Sequence, residues 1–257
     1  MMSLQSTEQL SPVQYDRRSQ LYRRHLDARA TFKAVASILA VDVYSTAGSE
    51  AEKAAHLGLA DLSTHPRVGF KGRGAPRWLE QQKAELSSIP HYAVQQSDGS
   101  LIARLSEEEF LILSDLDIQA SLAGKMQEHD TPGSDIPGSD ILGSDIPGSA
   151  EKVYLLPRHD SHCWLALTGN HASACLAKLC AIDMRINKFE NGEVAQTSLA
   201  RVNAIILRHD LGRTPCFYIL SDVSSTEFLW DSLLDAMQEF EGMPVGMAAL
   251  KELSKSD

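Results

Sequence analysis

The sequence lacks the features that mark several classes of protein. Its longest apolar run, AVASILAV at Ala34 to Val41, is far shorter than the ~20 residues that a membrane-spanning helix needs. Lys and Arg number 24 against 34 Asp and Glu, and the resulting net charge of −10 argues against binding to nucleic acid phosphates. The start, MMSLQSTEQL, has neither a basic segment nor an apolar run, so we expect no secretory signal.

Cysteine is scarce, and its positions match no metal-binding or redox pattern. Cys163, Cys175, Cys180 and Cys216 all lie beside apolar neighbours in the second half of the chain, and no two form Cys-x-x-Cys. This usage predicts reduced core residues in a cytoplasmic protein. The Gly-rich stretch GFKGRGAP lacks the spacing of a phosphate loop or of a dinucleotide fingerprint, so neither a nucleoside triphosphate nor NAD is expected on this chain.

What the sequence does contain is a repeated phrase. FLILSD, which begins at Phe110, recurs as FYILSD at Phe217. An apolar strand and the pattern Gly-x-x-Ala-x-x-x-Leu precede each copy, at Gly72 and again at Gly169. The glycine permits a tight exit from the strand, and the Ala and Leu fall on one face of a helix. The repeat predicts an α+β fold in which a strand–helix–strands–helix unit occurs twice.

The predicted divisions are a helical extension at 1–50, a first unit at 51–127, a flexible linker at 128–150, a second unit at 151–242 and a tail at 243–257. The helix of the extension is expected to start at Ser11-Pro12 and to run to about Ala40. The linker repeats Gly-Ser-Asp-Ile-Pro, a composition with too little apolar surface to fold. The tail has a weak pattern and is expected to fray.

Several short motifs predict local structure. Asp98-Gly99 favours a hairpin turn between two strands. Ser49 and Ser224 each precede a Glu by three residues, as in the capping box of a helix. After the second box, an apolar stripe predicts a helix that packs on the sheet; its members are Leu229, Leu233, Met237 and Phe240.

The densest chemical cluster is PRHDSHCW, in which His159 and His162 lie near Cys163. A metal site would need further ligands that converge on it, and a cysteine nucleophile would need an adjacent base. The favoured interpretation is a loop whose polar groups satisfy its own backbone. The run of three Glu at 107–109 is interpreted as a solvated turn.

Two groups of polar residues leave alternatives open. Arg201 and Asn203 are expected inside an apolar strand, where a buried Arg would need a partner. They face either a ligand or partner chain, or the solvent. A basic cluster near the start forms either the solvated face of a helix or a contact surface for an acidic partner chain; it consists of Arg17, Arg18, Arg23 and Arg24.

The same residues resemble a known superfamily. GLADLS at Gly58 to Ser63, followed by the Gly72 motif, resembles the start of the folate-binding domain of the glycine cleavage T-protein family. The second half, from Pro157 to Asp210 and again in FYILSDVSSTEFLWDSLLDAMQEF, is similar to the gamma subunit of heterotetrameric sarcosine oxidase. The resemblance is close over roughly 110 residues and loose over about 60 more.

This resemblance implies a duplicated α+β fold and a bacterial complex with alpha, beta and delta subunits. The complex would oxidise sarcosine at its C–N bond and pass the one-carbon unit to tetrahydrofolate. FAD, FMN, NAD, zinc and tetrahydrofolate would be held by the other subunits, and none by this chain. No catalytic residue and no metal ligand is assigned here, and the gamma chain is expected to be a packing partner.

Two departures from the T-protein pattern matter for function. Ala103 occupies the position where that family places a carboxylate, and LGRTP stands where its Thr-Gly-Glu stretch is expected. Independent aminomethyl transfer is therefore not expected. The sequence favours a non-catalytic gamma-type subunit. A standalone T-protein-like folate-binding protein, or a gamma-like subunit of a related N-methyl amino acid dehydrogenase, are the alternatives.

Overall fold

The computed structural model describes residues 15, 17–35, 38–44, 49–118 and 151–256. Its strands are β1 (Thr31–Val35), β2 (Ile38–Val43), β3 (Gly58–Asp61), β4 (Arg67–Lys71), β5 (Tyr92–Gln95), β6 (Leu101–Ser106), β7 (Glu109–Leu113), β8 (Tyr154–Leu156), β9 (His162–Thr168), β10 (Val194–Leu199), β11 (Val202–Arg208), β12 (Cys216–Asp222) and β13 (Met243–Pro244). Its α-helices are α1 (Tyr22–Asp27), α2 (Ser49–Leu57), α3 (Ala75–Gln81), α4 (Arg158–Ser161), α5 (Ala172–Ala177), α6 (Thr226–Met237) and α7 (Met247–Leu253).

A five-stranded sheet and a six-stranded sheet have corresponding strand orders. The first-unit sheet runs β5-β6-β7-β4-β8, and the second-unit sheet runs β10-β11-β12-β9-β3-β13. Each strand from β4 to β7 therefore has a counterpart from β9 to β12 in the same place, and α3 corresponds to α5. The predicted α+β fold with a duplicated unit is confirmed.

Three apolar layers hold these sheets together. Between the sheets lies a central core that includes Ala103, Leu111, Trp164 and Tyr218. On the outer face of the first sheet, α3 packs against β4, β6 and β7. On the outer face of the second sheet, α5 and α6 pack against β9, β11 and β12. Alternation along the strands sends successive side chains into different layers, which fixes the register of both sheets.

The two units exchange an edge strand. β3 lies near the start of the first unit in the chain but pairs with β9 of the second sheet, and β8 lies at the start of the second unit but pairs with β4 of the first sheet. The glycine turns lie against this exchange, since Gly72 approaches the backbone of Lys152 and Gly169 approaches that of His56. Both glycines have a positive φ, of 119° and 110°, in agreement with the predicted tight exit from each strand.

A pair of arginines repeats the duplication at the side-chain level. Arg104 pairs with Phe110 across β6 and β7, and Arg208 pairs with Phe217 across β11 and β12. Each guanidinium donates to carbonyls of the loop that leads into its edge strand: Arg104 to Ser87, and Arg208 to two carbonyls at 186 and 189. These arginines were not predicted from the sequence.

The predicted N-terminal helix is wrong over most of its length. Among the described residues of this stretch only α1 is helical, and β1 pairs with β2 in antiparallel fashion. Of the apolar run, Ala34 and Val35 lie on β1, and residues 38–41 lie buried on β2. The β-branched residues Val35, Ile38 and Val41 favour a strand. The proposed start at Ser11-Pro12 lies outside the described residues.

The C-terminal segment is also more ordered than expected. Instead of fraying, it forms β13, parallel to β3, and α7, whose Met247, Leu250 and Leu253 enter the central core. Three apolar residues at helical spacing were the signal for α7. The 128–150 linker lies outside the described residues, so it remains a prediction.

The remaining local predictions fared unevenly. The hairpin at Asp98-Gly99 is confirmed, with Gly99 at a φ of 84°. The α6 stripe is confirmed, because Leu229, Leu233 and Met237 are buried against the second sheet. The Ser224 capping box is wrong: Asp222 accepts the Ser224 backbone N–H in a short 3-10 turn before α6. α2 is present, but the side chain of Ser49 is outside the described part.

Candidate functional site

A cleft of about 880 Å³ opens on the inner face of the second sheet. Its floor continues the face that builds the central core, at the end where the first sheet no longer covers it. Hydroxyl and amide side chains predominate, with Ile205 and Leu220 as the apolar floor. We call this the second-unit cleft; it is lined by Arg158, His162, Gln196, Thr197, Ser198, Arg201, Val202, Asn203, Ala204, Ile205, Leu220, Ser221, Asp222 and Ser225.

Arg201 and Asn203, the polar residues singled out from the sequence, both line this cleft. Arg201 does not lie inside a strand as expected. It occupies the turn between β10 and β11, where Ala200 and Arg201 have φ of 47° and 70°. This turn type suits the twist of a two-residue hairpin. Both side chains are exposed, so a buried partner is not required for Arg201. Their role toward a ligand or partner chain remains a prediction.

One wall of the cleft is a charged pair with a histidine beside it. The guanidinium of Arg158 binds the carboxylate of Glu109, which also pairs with Lys71 at 3.0 Å. Arg158 donates through Nη1 to His162 Nε2 at 3.1 Å. Glu109 was predicted to belong to a solvated turn. It instead starts β7 and its side chain is largely buried.

The neighbours of His162 keep its imidazole neutral. Burial and the charge of Arg158 lower the pKa of His162 to about 4. Its Nδ1 lies 2.8 Å from the Ser161 hydroxyl. A general base works best with a pKa near the working pH, so this Ser–His contact is poorly suited to activate a nucleophile at neutral pH. Across the sheet, His162 is paired in register with Asp222.

The first unit has a counterpart of this cleft, and α7 fills it. In the sheet correspondence, His65 takes the place of His162 and Asp115 takes the place of Asp222. Lys251 of α7 pairs with Asp117 at 2.6 Å, and its charge contributes to lowering the pKa of His65, which burial brings to about 3. His65 is fully buried, whereas His162 is not. One chain thus presents one filled and one open version of the same surface.

Arg67 connects the loop that leads into β4 with the loop that leads into β9. It is 1% exposed, and Nη1 donates to the carbonyls of Ser63 and His65. Nη2 donates to the carbonyls of His159 and His162 in the other loop. Burial lowers the pKa of Arg67 to about 10, so its charge is kept at neutral pH. A lone Arg at a strand start gave no sequence signal for this role.

The PRHDSHCW cluster is organised around this arginine. Among the described residues, no three His, Cys, Asp or Glu side chains form a group that could hold a metal ion. His159 and His162 contribute backbone carbonyls to Arg67, and Ser161 donates to the Pro157 carbonyl. This agrees with a loop whose polar groups satisfy the local backbone.

The four cysteines are free thiols buried in the apolar layers, as predicted. Burial raises the pKa of the Cys163, Cys175 and Cys216 thiols. A raised pKa leaves little thiolate at neutral pH, which makes these side chains poor nucleophiles.

A buried polar network anchors the N-terminal segment and was not foreseen. Asp61 at the end of β3 accepts hydrogen bonds from the Ser19 hydroxyl and the Ser63 backbone, and lies 2.8 Å from His25 Nε2. The Tyr44 hydroxyl lies 2.7 Å from His25 Nδ1. Burial alone would raise the pKa of Asp61, but these hydrogen bonds outweigh it and hold that pKa below its usual value. These side chains bind one another, and this indicates a structural role for the network.

The basic cluster divides between two environments. Arg24 on α1 reaches Asp231 of α6 at 2.8 Å and Glu227 at 3.9 Å, so it helps to hold α1 on the second unit. Arg17 and Arg18 line a separate, smaller cleft of about 190 Å³ beside the loop at His159. A role for these residues toward an acidic partner chain remains a prediction.

The two departures from the T-protein pattern lie in different environments. Ala103 is fully buried on β6 in the central core. Of the LGRTP stretch only Leu211 is buried there, whereas Gly212 and Arg213 are exposed. Gly212 in that stretch lies against the backbone of Leu253 and Ser256 at the end of α7. Apolar side chains and α7 therefore occupy this region of the fold.

The sequence matches the model of one family, the GCVT N-terminal domain, over residues 21–254. The chain belongs to this family. The match covers both units and the exchanged strands, so the T-protein-like fold is shared by nearly the whole described chain. No curated protein matches the sequence.

Two solved structures show the same fold at low sequence identity. The first is glycine cleavage system aminomethyltransferase T from Bartonella henselae, with a TM-score of 0.65 and 22% identity. That match covers 91% of this chain but only 60% of the other, so this chain spans about three fifths of that enzyme. The second is a chain of heterotetrameric sarcosine oxidase from Corynebacterium sp. U-96 in complex with pyrrole 2-carboxylate, with a TM-score of 0.55 and 20% identity. It covers 76% of this chain and 93% of the other.

No helix among the described residues is both long and apolar enough to span a membrane.

Proposed function

We propose that this chain is a non-catalytic, gamma-type subunit of a heterotetrameric, flavin-dependent sarcosine oxidase. The complex would convert sarcosine to glycine and pass the one-carbon unit to tetrahydrofolate. FAD, FMN, NAD, zinc and tetrahydrofolate would be bound by the alpha, beta and delta subunits. The contribution of this chain would be a packing surface that stabilises the assembly.

The observation that carries this proposal is the extent of the structural match. The match covers 93% of a chain of heterotetrameric sarcosine oxidase. A fold shared with nearly all of one chain of a multi-subunit enzyme supports a role within an assembly. The sequence similarity of Pro157 to Asp210 to gamma subunits supports the same assignment.

The chemistry of the described side chains supports a non-catalytic role. Ala103 cannot supply the carboxylate expected at its position, and it is fully buried. The pKa of His162 is too low for a base at neutral pH, and the thiols have raised pKa values. What the second-unit cleft does offer is a broad polar surface with the exposed guanidinium of Arg201.

Purification of the tagged chain from its native host tests this proposal. We expect three companion chains, identified by mass spectrometry, and the visible absorption of bound flavin that sarcosine bleaches under anaerobic conditions. An untagged strain is the control. Removal of the chain should lower the yield of assembled complex more than the rate of flavin reduction in what remains. A complex that forms with normal yield and normal coupling to tetrahydrofolate without this chain would contradict the proposal.

The aminomethyltransferase match keeps one alternative open, a standalone T-protein-like folate-binding protein. This alternative predicts a colourless chain without companions that binds tetrahydrofolate in a calorimetric titration. A gamma-like subunit of a related N-methyl amino acid dehydrogenase would instead give a flavin-containing complex that is reduced by another N-methylated amino acid and not by sarcosine.

A further inference from the structure

The internal repeat shows how the open cleft can be occupied. In the first unit, α7 covers the counterpart surface with Met247, Leu250 and Leu253 in the central core. Lys251 on the same helix reaches Asp117. Within this chain a helix therefore already occupies the first-unit surface, and the sheet beneath the second-unit cleft has the same strand order.

We propose that the second-unit cleft is the docking site for a helix of another subunit, held where α7 lies on the first unit. This inference rests on the proposed function, because it requires a partner polypeptide. The cleft volume of about 880 Å³ is ample for part of a short helix, whose backbone and side chains are about 10 Å across. The partner helix would complete the second unit as α7 completes the first.

The lining determines the chemistry of that partner helix. Where α7 places a Lys against Asp117, the corresponding position in the second unit is Ser224, and the exposed side chain of Arg201 lines the cleft. Arg158 is already paired with Glu109, and Asp222 has its counterpart in Asp115, so neither changes the comparison. With one carboxylate fewer and the guanidinium of Arg201 in the lining, the cleft favours a carboxylate on the occupant. The floor of Ile205 and Leu220 is small, and both residues are already buried by their own sheet.

The expected partner is consequently an amphipathic helix with a narrow apolar stripe and a carboxylate near Arg201. Bidentate contact between Arg and a carboxylate favours such a pair over a lone surface charge. Asn203, Gln196 and Ser198 offer amide and hydroxyl groups for further hydrogen bonds along the rim. A mainly polar interface is typical of partners that each fold on their own, and this chain has its own apolar cores.

Three substitutions in the full-length chain test the docking site. Asn203→Trp fills the cleft, and Arg201→Glu reverses the charge that faces the partner. Arg213→Glu is the matched control, since Arg213 is an exposed arginine in a turn outside the cleft. Thermal unfolding of each variant alone shows whether the fold is intact. Titration of each variant against the purified companion chains gives its affinity.

We expect Asn203→Trp and Arg201→Glu to weaken binding to the companion chains at least ten-fold, and Arg213→Glu to change it less than two-fold. A photo-crosslinker placed at Ser198 should join this chain to a helical peptide of one companion. If flavin-containing companions bind all variants equally, the docking site is wrong and the proposed function stands. If no companion chain binds the unmodified chain, both fail. A crosslink to a second copy of this chain would also overturn the docking site.

Discussion

The two units place the same residue types on the same strands and bury them differently. His65 of the first unit has no exposure to solvent and lies within the influence of Lys251 on α7, and Asp115 is half-buried. Their counterparts, His162 and Asp222, line an open cleft. A repeated motif such as FLILSD and FYILSD therefore identifies a shared fold but not a shared environment. What covers each motif decides whether it supports the core or lines a cleft.

A second difference lies at the start of the corresponding strands β4 and β9. Arg67 and Trp164 occupy equivalent positions, yet Trp164 fills the central core while Arg67 binds four carbonyls of the two crossover loops. The two units are therefore not equivalent at this position. Arg67 of the first unit binds the loop before β4 and the loop before β9, and so connects the two units.

Replacement of this arginine should have the largest effect on stability. Arg67→Met keeps the apolar stem but leaves buried carbonyls without donors, which should lower the free energy of unfolding by about 4 kcal/mol. Urea unfolding followed by tryptophan fluorescence measures the change. The control is Arg73→Met, which removes an exposed arginine whose ion pair with Glu108 is 3.7 Å long. Similar losses in both variants would show that Arg67 does not join the loops.

The exchange of edge strands can be tested on its two glycines. A Cβ at residue 72 would lie 2.4 Å from the Lys152 oxygen, and one at residue 169 would lie 2.4 Å from the His56 oxygen. Gly72→Ala and Gly169→Ala should each lower the free energy of unfolding by about 3 kcal/mol, because backbone must move and the φ is positive.

Gly99→Ala separates the clash from the backbone strain. Gly99 also has a positive φ, but the nearest atom to an added Cβ belongs to the Asp115 side chain at 3.1 Å. The expected loss is about 1 kcal/mol, close to the strain of a left-handed residue alone. If only one of Gly72→Ala and Gly169→Ala lowers the free energy of unfolding more than Gly99→Ala, the two glycine turns are not equivalent.

The sequence predicted much of this fold because the repeat is local. FLILSD and its glycine motif could be compared directly with the second copy, and the Asp98-Gly99 turn needed only its own residues. The exchange of β3 and β8 could not be predicted in this way, because pairing between distant strands leaves no local pattern. The hairpin of β1 and β2 was missed since a run such as AVASILAV suits a buried strand or a buried helix.

The candidate site was predicted less well, for a physical reason. Arg201 and Asn203 were singled out as polar residues among apolar ones, and they do line the cleft. The cleft itself depends on α7, which covers one sheet surface and not its counterpart. Arg67 gave no signal, because its partners are backbone carbonyls that every residue carries.

The two equivalent histidines should differ in their effect on stability against pH. The pKa values of His65 and His162 are lowered to about 3 and about 4, so both stay neutral in the folded chain while the unfolded chain takes up protons below pH ~6.5. Stability should therefore be full above that pH and fall as the pH decreases toward the folded values.

The two histidines should differ at the acid end of this range. Between pH 7 and 5, His65→Gln should remove about 2 kcal/mol of the decrease, which follows from ~1.4 kcal/mol per pH unit for one proton. Below pH 5 the folded chain protonates His162 first, because the pKa of His162 is about 4 and that of His65 is about 3. The flattening by His162→Gln should therefore end at the higher pH. Urea midpoints from neutral pH downward measure both curves. Flattening that ends at the same pH for both substitutions would mean that α7 does not make the difference between the units.

The smallest effect is expected from the connection between the units. Deletion of Gly133 to Ser149, most of the repeated Gly-Ser-Asp-Ile-Pro stretch, should change the free energy of unfolding by less than about 1 kcal/mol. The entropy of closing a loop varies only with the logarithm of its length, so halving it contributes about 0.6 kcal/mol. Melting temperature and recovery of companion chains provide the measurement.

Replacement of the same residues by an equally long Gly-Ser stretch is the control. A fall of many degrees on deletion, but not on replacement, would show that the two units need the length of the linker and not its sequence. A fall in both would show that its Ile residues make contacts, and the comparison of the two units would then have to include a third, shared element.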